Sequence, residues 1–378
     1  MLNVIFTCGG TAGHVNPALA LAGLIRERRP DSNILFVGAR RGIERELIEG
    51  AGWPFRSVEV SSFHRSLKPR EIRHNLISLK NLVTSPAQAR AVLREFPADL
   101  VVGTGGYASY PMIRAAAKQG IPTAIHESNA IPGLTTRLLE GHADLIMVGF
   151  EECRGNYKHP EKVLVTGTPV RGDFFTLTRR EAKAKLGMDD GRPLIVSFWG
   201  SLGAGEMNRQ MAEFLALEAK NGVPYHHVHG AGVVGCKQMA QYLAQAGVDL
   251  EKTPDLEVRE YIRDMGVLMR AADLVICRAG ASTISELTAL GVPAIIVPSP
   301  NVANNHQEHN ARVLAEAGGA VMLLERDSSG EKLYHTAGEI LAHGERRRTM
   351  GEAMASLGTV DAADKIYAAV MALRSGKQ

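Results

Sequence analysis

The chain has 378 residues, 45% of them hydrophobic and 22% charged, with a formal net charge of +3. This is the balance of an ordinary globular protein long enough for two domains, and the charge is too small to suggest nucleic acid as a partner. No run approaches the roughly 18 apolar residues a membrane span needs. The four cysteines, Cys8, Cys153, Cys236 and Cys277, are too scattered for a disulfide framework or a structural zinc site, which fits a reducing cytoplasm.

The opening MLNVIFTCGG lacks a basic n-region and a long apolar stretch, so it is expected to form a first β-strand and not a signal peptide. The runs NVIFT, NILFVG, DLVVGTGG, PTAIHE, DLIMVG and KVLVTG then alternate with helical patterns whose apolar residues recur at i, i+3 and i+4. The pattern pauses around VTGTPVRGDFF and restarts with PLIVSFWG, YHHVHGAG, LEVREYI, DLVICRAG, PAIIVPSP and AVMLLE. Alternation of this kind implies parallel sheets covered by helices. The expected fold is therefore α/β, with two Rossmann-like domains over residues 1–168 and 169–345, and the tail 346–378 packing back on the first. Ligands of such sheets bind at the carboxyl edges of the strands.

Four glycine turns follow strands. The first is TCGGTAGH, with Gly9, Gly10, Gly13 and His14; Asn16 is expected to cap the next helix and Pro17 to be its first residue. Strict G-x-G-x-x-G spacing is absent, and the second strand ends in FVGARRG without an acid for a ribose, which argues against a nicotinamide dinucleotide. The second turn is GTGGYASYP, the third WGSLGAGE and the fourth CRAGASTISELTALGVP. In the fourth, Thr283 and Glu286 match a capping box, so Glu286 serves either that cap or a ribose hydroxyl. Glycines allow close backbone approach, and helix starts offer unpaired N–H groups to a diphosphate.

Residues 1–170 carry 20 Lys and Arg against 15 Asp and Glu, and the excess gathers between residues 64 and 94. There Arg65, Lys68, Arg70, Arg73, Lys80, Arg90 and Arg94 oppose only Glu71, interleaved with Leu76, Ile77, Leu79, Leu82 and Val83. The segment is either a solvated helix face or a patch drawn to an anionic membrane surface, at about 1 kcal/mol per cation. Metal signals are poor: there is no Asp-x-Asp pair, His226, His227 and His229 alternate along a strand, and His306 with His309 is a bare pair.

The segments GGTAGHVNPALALA, GTGGYASYP, HESNAIPGLTTR, VTGTPVR, GSLGA, CRAGASTISELTALGVPAIIVPSP and NNHQEHNA resemble, in order and across about residues 7–312, those of the MurG glycosyltransferase family. The resemblance implies a GT-B fold, with the two sheets facing across a cleft. It also implies transfer of N-acetylglucosamine from UDP-N-acetylglucosamine to undecaprenyl-diphospho-N-acetylmuramoyl-pentapeptide, lipid I, to make lipid II, with no cofactor and no metal. It implies a peripheral protein on the cytoplasmic face of the cell membrane, with cell-wall synthesis proteins as candidate partners. Matching residue by residue, Thr11, Ala12 and Gly13 of the first turn touch the donor, and Gly105, Gly106 and Tyr107 of the second touch substrate. Asn129, Arg171 and Ser201 match binding positions, Ile262 one near the uracil, and Gln307 one at the donor sugar. Ala281, Ser282, Thr283, Ile284, Ser285 and Glu286 match the diphosphate and ribose segment. Three positions depart from the family's frequent residues: Ala12 and Trp199 stand where glycine is common, Asn16 where an aromatic is.

An inverting transfer needs a base for the acceptor hydroxyl and stabilisation of the departing diphosphate. His14 is the favoured base and Glu127 its rival; each has a structural alternative, His14 as a turn-ordering side chain and Glu127 as a carboxylate bonded to backbone amides. Other readings of the same pattern are a UDP-N-acetylglucosamine epimerase, a transferase to another acceptor, and a non-catalytic nucleotide-sugar sensor.

Overall fold

The computed structural model describes residues 1–40, 42–60, 84–302 and 305–376, and it divides into two compact units: Met1–Arg171 with Thr359–Gln378, and Gly172–Gly358. The basic segment expected over residues 64–94 therefore lies largely outside the described residues. Its last part, a helix (α3) over residues 84–95, carries Arg90 and Arg94 on the exposed side.

In the first unit seven strands run parallel in the order β3-β2-β1-β4-β5-β6-β7. They are β1 (Asn3–Thr7), β2 (Asn33–Ala39), β3 (Phe55–Val58), β4 (Leu100–Gly103), β5 (Thr123–Glu127), β6 (Leu145–Val148) and β7 (Val163–Val165). The inner strands read as unbroken apolar runs because both faces are covered. Val4, Phe6, Phe36, Leu100 and Val102 point to one face, where they pack with Val15, Leu21 and Ile25 of α1 (Ala12–Arg28), Ile48 of α2 (Glu44–Gly50), and Ile366 and Val370 of α14 (Ala362–Gly376). The strand β3 was not foreseen, since FRSV sits on the sheet edge and is only partly apolar.

The second unit repeats the plan with six parallel strands in the order β10-β9-β8-β11-β12-β13. These are β8 (Leu194–Phe198), β9 (His226–Gly230), β10 (Leu256–Arg259), β11 (Leu274–Cys277), β12 (Ala294–Ile296) and β13 (Ala320–Met322). Its core joins Ile195, Leu274 and Ile276 to Met207, Met211 and Phe214 of α7 (Gly205–Lys220) and to Leu333 and Ile340 of α12 (Gly330–Ala342).

Three local expectations are corrected. First, α1 begins at Ala12, capped by the Thr11 backbone, so Asn16 is no cap and Pro17 lies inside the helix. Proline forfeits one helical hydrogen bond there, and the packing of the first turn against neighbouring loops outweighs that loss. Second, α10 (Ala281–Leu290) starts after Gly280, so Thr283 is already inside the helix and the expected capping box does not form; Gly291 closes the helix in the left-handed conformation, φ 65°. Third, the tail is not one body. α13 (Gly344–Leu357) stays in the second unit, where Gly351 lies against Gly291. Only the chain after Gly358 returns to the first. There Thr359 fills the space beside Gly167, and Arg28 meets both Asp364 and the Tyr367 ring, 4.7 Å from its centroid.

Candidate functional site

In each unit the strand order reverses beside the first strand, between β1 and β4 and between β8 and β11, and the crevice at such a point is where open parallel sheets bind ligands. In the first unit this brings two glycine turns together. The loop after β4 places Gly105 (φ 111°) and Gly106 (φ 83°) in conformations that favour glycine. It also presses them on the first turn: a Cβ on Gly105 would sit 2.9 Å from His14 Nε2, and one on Gly106 would sit 2.8 Å from the Gly9 nitrogen. Ser109 Oγ locks the pair, its single proton shared between the carbonyls of Thr7 and Gly105, both at 2.9 Å.

His14 is the third residue of α1, partly buried, with its carbonyl accepting from Thr104 Oγ1 at 2.6 Å. Its Nδ1 lies 2.8 Å from the Gly9 carbonyl. A carbonyl can only accept, so Nδ1 carries the proton and the neutral ring keeps the Nε2 lone pair. Thr11, Ala12 and Gly13 form the start of the same helix, whose first amides have no intrahelical partner. Tyr107 is exposed at the tip of the second turn.

Glu127 ends β5 and is only 5% exposed. Its Oε1 accepts from the Asn129 amide N–H (3.1 Å) and side chain (2.9 Å), and its Oε2 accepts from the Gly133 N–H (3.0 Å) and Thr136 hydroxyl (2.7 Å). Four donors thus occupy both oxygens, and the carboxylate organises the loop that carries Asn129. Arg171 is exposed at the end of this unit. The neighbouring His126 is buried and donates from Nε2 to the Gly167 carbonyl at 2.9 Å, and burial holds its pKa below the usual range.

In the second unit Ser201 is exposed on the third glycine turn, and Ile262 is buried against Gly230. Ala281 to Glu286 form the first turns of α10; Ser285 Oγ returns to the Ala281 carbonyl at 2.9 Å, whereas the Ser282 hydroxyl is buried without a protein partner. Gln307, second residue of α11 (His306–Glu316), accepts from the Ser299 N–H at 2.9 Å, which leaves its amide N–H₂ for other partners. A cavity of about 410 Å³ opens beside it, lined by Glu206, Ser299, Asn305 and Glu308 among others. Arg278 steadies this edge through the carbonyls of Val297 (3.0 Å) and Pro298 (3.2 Å) and through Glu325, with its guanidinium 5.9 Å from the Trp199 ring centroid.

Two buried arrangements escaped sequence reasoning. One is Glu44, fully buried beneath the first glycine turn; a charged residue in RRGIERELIEG looks like part of a solvated helix. The other is a polar chain inside the second unit. Asn208 donates to the Ala231 carbonyl (2.8 Å) and accepts from His229 Nε2 (3.2 Å); His229 Nδ1 meets Ser197 Oγ (2.8 Å), which meets His227 Nε2 (2.8 Å), while His227 Nδ1 meets Glu218 (2.8 Å). Burial pushes the His229 pKa down to about 3. His226 turns the other way, to Asp190 and Asp255. Among the described residues no three His, Cys, Asp or Glu side chains gather in a metal-holding group.

Residues 4–148 match the model of the glycosyltransferase family 28 N-terminal domain, and residues 194–366 that of its C-terminal domain. A protein of Acetivibrio thermocellus named UDP-N-acetylglucosamine--N-acetylmuramyl-(pentapeptide) pyrophosphoryl-undecaprenol N-acetylglucosamine transferase is 37% identical, over 100% of this chain and 99% of its own. The chain belongs to the MurG family. A Thermoanaerobacter member of the same name is 38% identical over 97% of this chain and 98% of its own. Among solved structures, Acinetobacter baumannii MurG matches at TM-score 0.73 and 24% identity, covering 98% of this chain and 100% of that one. The UDP-GlcNAc 2-epimerase of Neisseria meningitidis matches at TM-score 0.65 and 14% identity, covering 98% and 100%, and so shares the fold. The MurG family carries the GT-B class of two parallel-sheet α/β domains, the class expected from the sequence, and it is a family of glycosyltransferases.

Proposed function

We propose that this chain moves N-acetylglucosamine from UDP-N-acetylglucosamine to the 4-hydroxyl of undecaprenyl-diphospho-N-acetylmuramoyl-pentapeptide, with inversion, to make lipid II for peptidoglycan. One observation carries the reading: likeness at 37% identity along the entire chain to a transferase named for that donor and acceptor. The first unit takes the acceptor, its diphosphate against the free amides at the start of α1. The second takes the donor, with the α10 start and the Ser282 hydroxyl at the diphosphate, Glu286 at the ribose, Ile262 near the uracil and Gln307 at the sugar. Gly105, Gly106 and Tyr107 line the acceptor side, while Thr11, Ala12, Gly13, Asn129, Arg171 and Ser201 complete the substrate contacts.

His14 acts as base, since its Nδ1–H is committed to the Gly9 carbonyl and Nε2 is left to take the hydroxyl proton. Glu127, with both oxygens already accepting two hydrogen bonds each, holds the Asn129 loop and does not compete for that proton. The departing diphosphate meets helix-start amides, each such donor being worth roughly 10²–10³ in rate. Among the described residues no helix is long and apolar enough to cross a membrane. We place the protein peripherally on the cytoplasmic face, held to anionic lipid by the basic 64–94 region.

The test is incubation of the purified chain with UDP-N-acetylglucosamine and a short-chain lipid I analogue. The expected product is a β-1,4-linked disaccharide, with UDP released only when acceptor is present. UDP release without acceptor, or tight donor binding without turnover, would favour an epimerase or a sensor instead.

A further inference from the structure

Glu44 is a buried titratable side chain that this mechanism leaves unused. It opens α2 and has no exposed surface. Backbone amides meet its carboxylate: Oε1 accepts from the Ala39 N–H at 2.9 Å and Oε2 from the Gly10 N–H at 3.2 Å. The room for it is made by glycines. A Cβ on Gly9 would lie 2.7 Å from Oε1, one on Gly38 2.8 Å from Cγ, and one on Gly42 would overlap the carboxylate.

The Gly10 N–H and the Gly9 carbonyl are the two ends of one peptide group, planar and conjugated. Its N–H donates to Glu44, and its C=O accepts from His14 Nδ1–H at 2.8 Å. We propose that Glu44 is a positioning residue for His14, acting through this single peptide unit. A carboxylate drawing on the N–H enriches the carbonyl oxygen, and hydrogen bonds in series strengthen one another in a low-dielectric site. The carbonyl then holds the ring in the tautomer with a free Nε2 and stabilises the imidazolium that forms. A buried carboxylate does this directly in a catalytic triad, and there too it keeps its charge.

The proton count closes without moving a proton to either partner. The acceptor O–H bond breaks and Nε2–H forms; the hydroxyl oxygen bonds to the anomeric carbon, whose bond to the diphosphate breaks with its electron pair leaving on UDP. Nδ1–H stays on the ring, and no proton passes to Glu44.

The inference rests on His14 being the base, and the experiment separates the two claims. Full-length wild type, Glu44→Gln, His14→Ala and the double variant are compared with UDP-N-acetylglucosamine and a lipid I analogue. Glu44→Gln is expected to lower kcat about ten- to a hundredfold, as loss of a supporting hydrogen-bond partner does, with the donor KM within about twofold. In the His14→Ala background the same change is expected to cost under about twofold, because residues acting as one unit are not additive. Glu44→Asp, which keeps the charge, is expected to recover part of kcat. In ¹⁵N-histidine-labelled protein the His14 Nδ1–H proton signal is expected to move upfield in Glu44→Gln. Equal loss in both backgrounds, wild-type kcat in Glu44→Gln, Glu44→Asp slower than Glu44→Gln, or an unmoved Nδ1–H signal would overturn the proposal and leave the base assignment standing. Full turnover in His14→Ala would overturn the base assignment, and the relay with it.

Discussion

Replacing Glu127 by Gln decides whether that residue is scaffold or base. The carboxylate accepts four hydrogen bonds, two from Asn129, one from Gly133 and one from Thr136. Glutamine fits the volume but offers one acceptor oxygen, so its NH₂ faces two donors on the other side. Two bonds to a charged acceptor are lost at about 1.5–3 kcal/mol each, giving a destabilisation of roughly 3–6 kcal/mol in a domain whose whole stability is about 5–15 kcal/mol. At roughly 2–4 °C per kcal/mol for a unit of this size, the midpoint should fall by about 10 °C. The sequence has two tryptophans, Trp53 in the first unit and Trp199 in the second. In a Trp199→Phe background, thermal unfolding followed by fluorescence therefore reports the unit that holds Glu127. At low temperature, where the variant is folded, turnover should stay within about tenfold of wild type, below the 10²–10⁴ that a lost base costs. An unchanged midpoint with kcat down a thousandfold would refute the reasoning and return Glu127 to the role of base.

His14→Ala should lower kcat by about 10²–10⁴ while donor affinity, measured by calorimetry, is unaltered. Turnover in EDTA should stay near that in buffer; full loss restored by magnesium would contradict diphosphate stabilisation by helix-start amides. His229 is kept neutral by burial, with its pKa at about 3 against 6.5 in the unfolded chain, so between those values the unfolded state binds the extra proton. Stability of the second unit should therefore fall as pH is lowered from 6.5 towards 3, by about 1.4 kcal/mol per pH unit. Urea unfolding at several pH values in a Trp53→Phe background should show a slope shallower by that amount in His229→Asn. Binding to anionic vesicles should weaken with salt and with Arg90→Glu/Arg94→Glu, and neutral vesicles should bind little.

Much of the architecture was legible because a parallel sheet covered on both faces writes itself as short apolar runs. NVIFT, PTAIHE and DLVVG are such runs, and β1, β5 and β4 formed there. The edge strand at Phe55 was not legible, since FRSV exposes half of its side chains. Helix starts misled where local signals compete with packing. Asn16-Pro17 is a good first turn in isolation, but α1 already runs from Ala12, and His14 in its first turn packs against Gly105, 91 positions along the chain and beyond the reach of any local pattern. Thr283 and Glu286 have capping-box spacing, yet α10 starts two residues earlier at the end of β11's loop.

The candidate site divides along the same line. His14, Glu127 and the α10 start were nameable from the chain because they sit in glycine turns and strand ends, where the residue types and their spacing are local properties; Asn129 and Gln307 were nameable only through the family resemblance. What each carboxylate does was not nameable. Glu127 differs from a free acid only through the four donors folded around it, and Glu44 is indistinguishable from a surface glutamate until β1, β2 and α2 enclose it. Residue order dictates which backbone segments turn, extend or coil, since those preferences act over a few neighbours. The protonation geometry of His14 depends on one peptide group caught between two side chains thirty positions apart, and only long-range closure of the sheet brings them into hydrogen-bonding distance.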